Sequence, residues 1–169
     1  MKWFFSVIIL VIGLDQYTKR LAADYLRNIP EGISIIPGLF SLTYAENRGV
    51  AFGMEFAPPA MLLLLTGIIT LTVIIYVFRS KNREAVFILP FALIVGGGIG
   101  NMIDRFTIGR VIDFIYFDIY RGSLFGTYVS LWPIFNIADS AITVGACMLL
   151  VFHNRIFPKE VMQENADVR

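Results

Sequence analysis

One cysteine, one histidine and few charges set the first limits on this chain of 169 residues. Cys147 has no partner for an intrachain disulfide, and His153 alone cannot build a Cys/His metal cluster. Charged residues make up 16%, against about 25% in globular proteins. Fourteen Lys and Arg against thirteen Asp and Glu leave a net charge of +1, which gives no basic face for nucleic acid. Internal repeats, linkers and low-complexity stretches are missing, so one domain over 1–169 is expected. Apolar residues, in contrast, reach 57%, with fifteen phenylalanines, against roughly 45–50% in soluble chains; the mean hydropathy is +0.71. One core in a chain this short cannot hide that surface, so lipid must cover the rest.

A bilayer core needs about 20 apolar residues in helix. Residues 60–78 carry no charge and follow Pro58-Pro59, which suits a helix start. Residues 132–152 carry only Asp139, and 85–103 form a third apolar stretch softened by Pro90 and four glycines. At the N-terminus, 3–14 imitates a signal peptide, yet no small-x-small site follows. The run continues through LDQYTKRLAADYL, so 3–26 is read as a span with Asp15 facing protein and Lys19 and Arg20 snorkelling outward. The expected fold is a membrane all-α bundle of four transmembrane helices. Three cations in the connection 79–84 place it, Lys2, Arg155 and Lys159 in the cytoplasm with both termini. Segments 27–59 and 104–131 then lie outside. Weak alternation in 33–45, 111–120 and 124–131, with a turn expected at Arg121-Gly122-Ser123, predicts a small β-rich extracytoplasmic cap lying against the membrane.

Ionisable groups among apolar spans default to functional candidates. With Trp132 as interfacial anchor, Asp139 lies seven residues deeper, on the order of 10 Å along a helix, with Asn136 and Thr143 on its face; a buried Asp that merely bonds neighbouring helices is the alternative. Gly96 and Gly100 form a small-xxx-small face. Asn101, Asp104 and Arg105 form a polar stripe, or a salt bridge capping the span. Asp15 and Lys19, at i and i+4, read equally as a helix ion pair. Asp113, in VIDFIYF, should point to a different face from Val111 or toward a partner; Asp118 is read as surface. Asn47 falls in a Gly-containing turn where Asn is common for backbone reasons. Each alone is ambiguous. Together Asp15, Lys19, Asn47, Asn101, Arg105, Asp113, Asn136 and Asp139 fall at one depth beneath the outer surface, which points to a site.

With His153 at the cytoplasmic end, no hydroxyl or thiol there has a histidine base, and no carboxylates stand at metal-ligand spacing. Two carboxylates able to approach remain, Asp113 and Asp139. Sharing a site raises one pKa, so that one can take a proton from water while the other donates to a carbonyl. A proton-coupled carrier would string charges through the membrane and show inverted repeats. A lipid head-group transferase would need clustered carboxylates, and a non-catalytic scaffold is the remaining alternative.

LDQYTK, NRGVAFG, GGGIGNMIDR, VIDF and FNIADSAITVG, in that order, resemble the bacterial lipoprotein signal peptidase (signal peptidase II) family over about residues 14–146. The resemblance implies an intramembrane aspartic endopeptidase of the bacterial cytoplasmic (inner) membrane, without metal or cofactor and acting as a monomer. It would cut the signal peptide from a diacylglyceryl-modified prolipoprotein just before the lipidated cysteine, its partners being that substrate and membrane lipid. By the same resemblance Asp113 and Asp139 are the catalytic pair. Asn47, Asn101, Arg105, Asn136, Asp15 and Lys19 match positions that bind substrate or support the site. Two departures are visible: the 26-residue separation of the aspartates, longer than the family pattern around RGSLFGTYVS, and Val50 where alanine is expected.

Overall fold

The computed structural model describes residues 1–49, 58–119, 121–124, 127–130 and 132–157. Val50, within NRGVAFG, and Lys159 lie outside the described residues. Helices α1 (Lys2–Tyr25), α2 (Pro59–Arg79), α3 (Ala85–Ile108) and α4 (Ile137–Val151) are followed by a single turn, α5 (His153–Ile156). Strands β1 (Ile33–Ile36), β2 (Phe40–Asn47) and β3 (Val111–Phe117) form an antiparallel sheet in the order β1-β2-β3. Strands β4 (Arg121–Leu124) and β5 (Thr127–Ser130) pair as a separate hairpin.

Among the described residues two helices, α2 and α3, are long and apolar enough to cross a membrane. They differ in setting. Only 17% of the apolar window of α2 is buried, against 61% in α3, so α3 is the central helix and α2 turns most of an uncharged surface outward. The glycines of α3 explain how it can be central. Successive residues on a helix point about 100° apart, and each of three consecutive glycines faces a different neighbour. A Cβ on Gly96 would meet Val11 of α1; on Gly97, the Ala138 carbonyl and Ile142 of α4; on Gly98, Thr70 of α2. Gly100 lies as close to Asp15 and Ala138, so the expected Gly96–Gly100 face is present and serves α1 and α4, while Gly98 admits α2.

The two ends of the bundle are unlike. At one end Phe4, Ile8, Val77, Phe87, Phe91 and Ile156 form the largest apolar cluster, which gathers the start of α1, the end of α2, the start of α3 and α5. At the other, Ala22 and Leu26 pack on Phe114 with Leu42, Tyr44 and Ile112, seating the sheet against α1. The ion pair of Arg110 with Glu46, at 2.6 Å, adds a polar tie between the connection after α3 and β2.

Several boundaries differ from expectation. Helix α3 runs on to Ile108, five residues past the expected end, and stops where Gly109 adopts φ 72°, a left-handed conformation that glycine enters without steric cost. Helix α4 starts at Ile137 instead of 132. Pro133 cannot donate a helical hydrogen bond, and Asn136 is extended (φ −131°, ψ −176°) and caps the helix. The helical rise from Trp132 to Asp139 therefore does not apply: Asp139 stands in the first turn, and Asn136 is its cap, not a neighbour on the same helical face. Arg121-Gly122-Ser123 is not a turn but part of β4, because Arg121 pairs with Ser130 and Leu124 with Thr127.

Candidate functional site

The chain brings β3 and the start of α4 together through backbone bonds. Phe114 and Ile115 donate to the Phe135 carbonyl (3.1 and 2.8 Å), and Phe135 donates back to Ile115 (3.0 Å). Asn136 follows at once, so its side chain lies beside Asp113. Its Nδ2 donates to Asp113 Oδ1 at 2.7 Å, while its backbone N–H donates to Asp139 Oδ2 at 3.3 Å. Its Oδ1 accepts the Asp139 N–H at 2.8 Å, completing a capping box. One asparagine is therefore bonded to both carboxylates.

Each aspartate has a second donor. Asn47 Nδ2, at the end of β2, reaches Asp113 Oδ2 at 3.2 Å, and its own Oδ1 accepts the Gly49 N–H at 3.0 Å. Asn101 Nδ2, on α3, donates to Asp139 Oδ1 at 2.7 Å. Asp113 is 2% exposed. Burial foremost, and then the negative charge of Asp139, push its carboxyl up to about 7. Asn47, Asn136 and the Lys19 cation pull the other way. A carboxyl held there keeps its proton near neutrality beside a second carboxylate, the condition for paired acid and base work.

Behind the pair lies a fully bonded charge cluster. Lys19 Nζ contacts Asp15 Oδ2 (2.9 Å), Asp104 Oδ2 (3.0 Å) and Asn101 Oδ1 (2.9 Å). Lys19 is 2% exposed and Asp15 fully buried, so the expectation that Lys19 snorkels outward is corrected. Two acids and an amide hold its ammonium inside, and partnered burial outweighs hydration there. Arg20 alone points outward, to Asp24. Asp15 Oδ1 also accepts the Ala138 N–H at 2.9 Å, satisfying a donor at the start of α4 from another helix. Asp104 pairs with Lys19 rather than Arg105 and accepts the Ile112 N–H at 3.0 Å, tying α3 to β3.

A cavity of about 720 Å³ opens onto the two carboxylates. Asn47, Asn101, Arg105, Asp113 and Asp139 line its polar part, and Trp132, Pro133, Ile134, Phe135, Ile142 and Val144 its apolar walls. Arg105 reaches the Gly49 carbonyl at 3.3 Å. Val111 and Asp113 line the cavity together, since residues two apart on a strand share a face. Of the two expectations for Asp113, a face apart from Val111 or a partner, the second holds, with Asn47 and Asn136 as the partners. Asp118 is half-buried and is not among the described residues lining the cavity.

All eight residues singled out from the sequence thus join one connected region, though in two layers. Asn47, Asn101, Arg105, Asp113 and Asp139 face the cavity, and Asn136, Asp15 and Lys19 stand behind. Two further members join them. The sequence reading gives Asp104 only a place in a polar stripe or a capping salt bridge. It gives no role to Gln16, whose Nε2 donates to Asp104 Oδ1 (2.9 Å), Asp15 Oδ2 (3.2 Å) and the Gly100 carbonyl (3.2 Å). Its place between Asp15 and Lys19 in LDQYTK was the available signal.

The family model described as Signal peptidase (SPase) II matches residues 7–155. A lipoprotein signal peptidase of Pelodictyon phaeoclathratiforme (strain DSM 5477 / BU-1) is 67% identical over 169 residues, covering 100% of each chain. One from Chlorobium phaeovibrioides (strain DSM 265 / 1930) is 66% identical over 158 residues, covering 94% of each. Among solved structures, a bacterial membrane enzyme determined by the in meso method at 2.3 Å superposes with a TM-score of 0.79 at 26% identity, covering 94% of this chain and 92% of the other. A second, at 1.9 Å, gives 0.75 at 28% identity, covering 89% and 92%.

Proposed function

This chain belongs to the signal peptidase II family, and from that premise we propose that Asp113 and Asp139 are the catalytic pair of an aspartic endopeptidase embedded in the membrane. The enzyme is a peptidase that removes signal peptides from lipoproteins. Its substrate is a prolipoprotein already carrying diacylglycerol on cysteine, and the bond cut is the one just before that residue. The observation that carries the assignment is the double engagement of Asn136 with both carboxylates, in a cavity that Asp113 and Asp139 line together.

The reaction needs one proton shared by two carboxyls. The ionised member takes a proton from water as its oxygen attacks the scissile carbonyl carbon, and the protonated member donates to the carbonyl oxygen. Collapse of the tetrahedral adduct breaks the C–N bond. The cysteine nitrogen leaves with a proton returned from the pair, and the signal peptide keeps the new carboxyl group. Asn47 and Arg105 line the same cavity and bind the substrate backbone there, while Asn101, Asn136, Asp15 and Lys19 support the pair.

The chain is one domain over 1–169, acting as a monomer, with α1 to α4 as its four spans. Both termini face the cytoplasm of a bacterium across the inner membrane. The apolar cluster joining the start of α1, the end of α2, the start of α3 and α5 supports that topology, since it sets the cationic connection 79–84 at the same end as Met1. The sheet then caps the outer end, with Ile33, Ile35, Ile36 and Leu39 exposed toward lipid. Acyl chains on the substrate cysteine keep the adjoining peptide bond near that surface. The test is incubation of the purified protein with a diacylglyceryl-modified precursor and its unmodified form. Cleavage of the modified form alone is expected, and is expected to vanish in both Asp113→Asn and Asp139→Asn. Near-normal turnover by both variants would overturn the assignment.

A further inference from the structure

An asparagine amide can present either its oxygen or its NH2 to a neighbour, and near a carboxylate pair the choice decides whether it supports or repels. For Asn136 and Asn47 the choice is made by backbone donors, because each oxygen accepts an N–H, from Asp139 and Gly49 respectively. Among the described residues no backbone donor does this for Asn101; its oxygen accepts from Lys19 Nζ at 2.9 Å and from Asn136 Nδ2 at 3.2 Å, and its NH2 reaches Asp139 Oδ1 at 2.7 Å. We propose that Lys19 is a positioning residue for catalysis: by occupying the oxygen of Asn101 it compels that amide to present its NH2 to Asp139. The inference rests on the aspartate-pair reading above.

Four features of the cluster support it. The ammonium has three hydrogens, and its three partners (Asp15, Asp104 and Asn101) use them all. Asp15 and Asp104 already outnumber the single cation, so charge balance does not require the third bond, which goes to the one group leading to Asp139. A reversed Asn101 would set its NH2 against the ammonium and its oxygen against the carboxylate, two repulsive contacts in place of two bonds. Lys19 itself stays out of the cavity lining, so it acts through the amide and not on the substrate.

The experiment is a double-mutant cycle on cleavage of a diacylglyceryl-modified precursor, with kcat and KM measured separately for Lys19→Met, Asn101→Ala and the pair. Each single variant is expected to lose about tenfold to a hundredfold in kcat, the size of one hydrogen bond to a charged group, with KM within about twofold. Lys19→Met is expected to add nothing, within about twofold, in the Asn101→Ala background. Lys19→Met leaves Asp15 and Asp104 without their cation and can unfold the protein. The pair Lys19→Met/Asp104→Asn, which keeps the buried charge at −1 (one cation and two acids before, one acid after), then replaces it and is compared with Asp104→Asn alone. Multiplying losses, a folded Lys19 variant with kcat within twofold of the parent, or failure of the charge-balanced pair to fold would each overturn the proposal. If Asp113→Asn and Asp139→Asn both retain turnover, the aspartate-pair reading itself fails; if both are inactive while the losses multiply, only the role of Lys19 does.

Discussion

Replacing Asp113 by asparagine should abolish cleavage and at the same time stabilise the protein, increasingly so as pH rises. The carboxyl goes from an ordinary value of 3.8 to about 7 on folding. Below 3.8 the group is protonated in both states and contributes no difference. Between 3.8 and 7 the unfolded chain releases the proton and the folded chain keeps it, so stability falls as pH rises through that window and levels off above it. At about 1.36 kcal/mol per pKa unit, the shift costs about 4 kcal/mol at pH 8 and about 2 kcal/mol at pH 5. An asparagine is neutral at every pH but turns an NH2 toward the donors Asn136 Nδ2 or Asn47 Nδ2, a mismatch of about 1 kcal/mol or more. The net gain is then about 3 kcal/mol at pH 8 and about 1 kcal/mol at pH 5. At roughly 2–4 °C per kcal/mol for a chain of this size, the melting temperature in detergent should rise by roughly 6–12 °C at pH 8 and by only roughly 2–4 °C at pH 5. Thermal unfolding of parent and variant across that range checks it. A variant less stable than the parent at pH 8, or a difference that does not grow with pH, would refute the reasoning that burial of a carboxylate beside Asp139 strains the site.

Other consequences follow from the same geometry. In the proposed mechanism the pair needs its shared proton, so turnover should decline as pH rises past about 7; Asn47→Ala, which removes a donor favouring the ionised form, should move that descending limb upward by about one pH unit, and an unmoved or lowered limb would count against the bond. Asp118→Asn should leave cleavage within about twofold of the parent, since this residue is not among the described residues lining the cavity; inactivity of this variant alone would assign the catalytic role to Asp118 instead. Gly97→Val should destabilise by about 2 kcal/mol or more, because its Cβ would meet the Ala138 carbonyl and Ile142. Gly13→Ala, with nothing within 4 Å, should be neutral or stabilise by up to about 1 kcal/mol; paired melting curves distinguish them.

The legible part of this protein was set by solvent. Runs such as 60–78 carry their meaning wherever they lie, because twenty apolar residues in helix match a bilayer regardless of neighbours, and α2 appears within one residue of expectation. The polar residues were legible for the complementary reason: an aspartate or lysine among apolar residues is costly enough to need a partner. Boundaries set by caps were harder. Trp132-Pro133-Ile134-Phe135 is as apolar as the helix after it, and only the bridge between Ile115 and Phe135 shows why that stretch is extended.

Composition and order alone therefore determined that the chain is a membrane protein and which side chains are out of place in it, since both follow from transfer between water and lipid. Tertiary structure decided how those side chains are shared out: that Lys19 turns inward to Asp15, Asp104 and Asn101, and that one asparagine serves both aspartates. Hydrogen bonds are directional and short, and residues as distant in the chain as Lys19 and Asn101 acquire a common bond only once α1 and α3 have closed over the glycines between them.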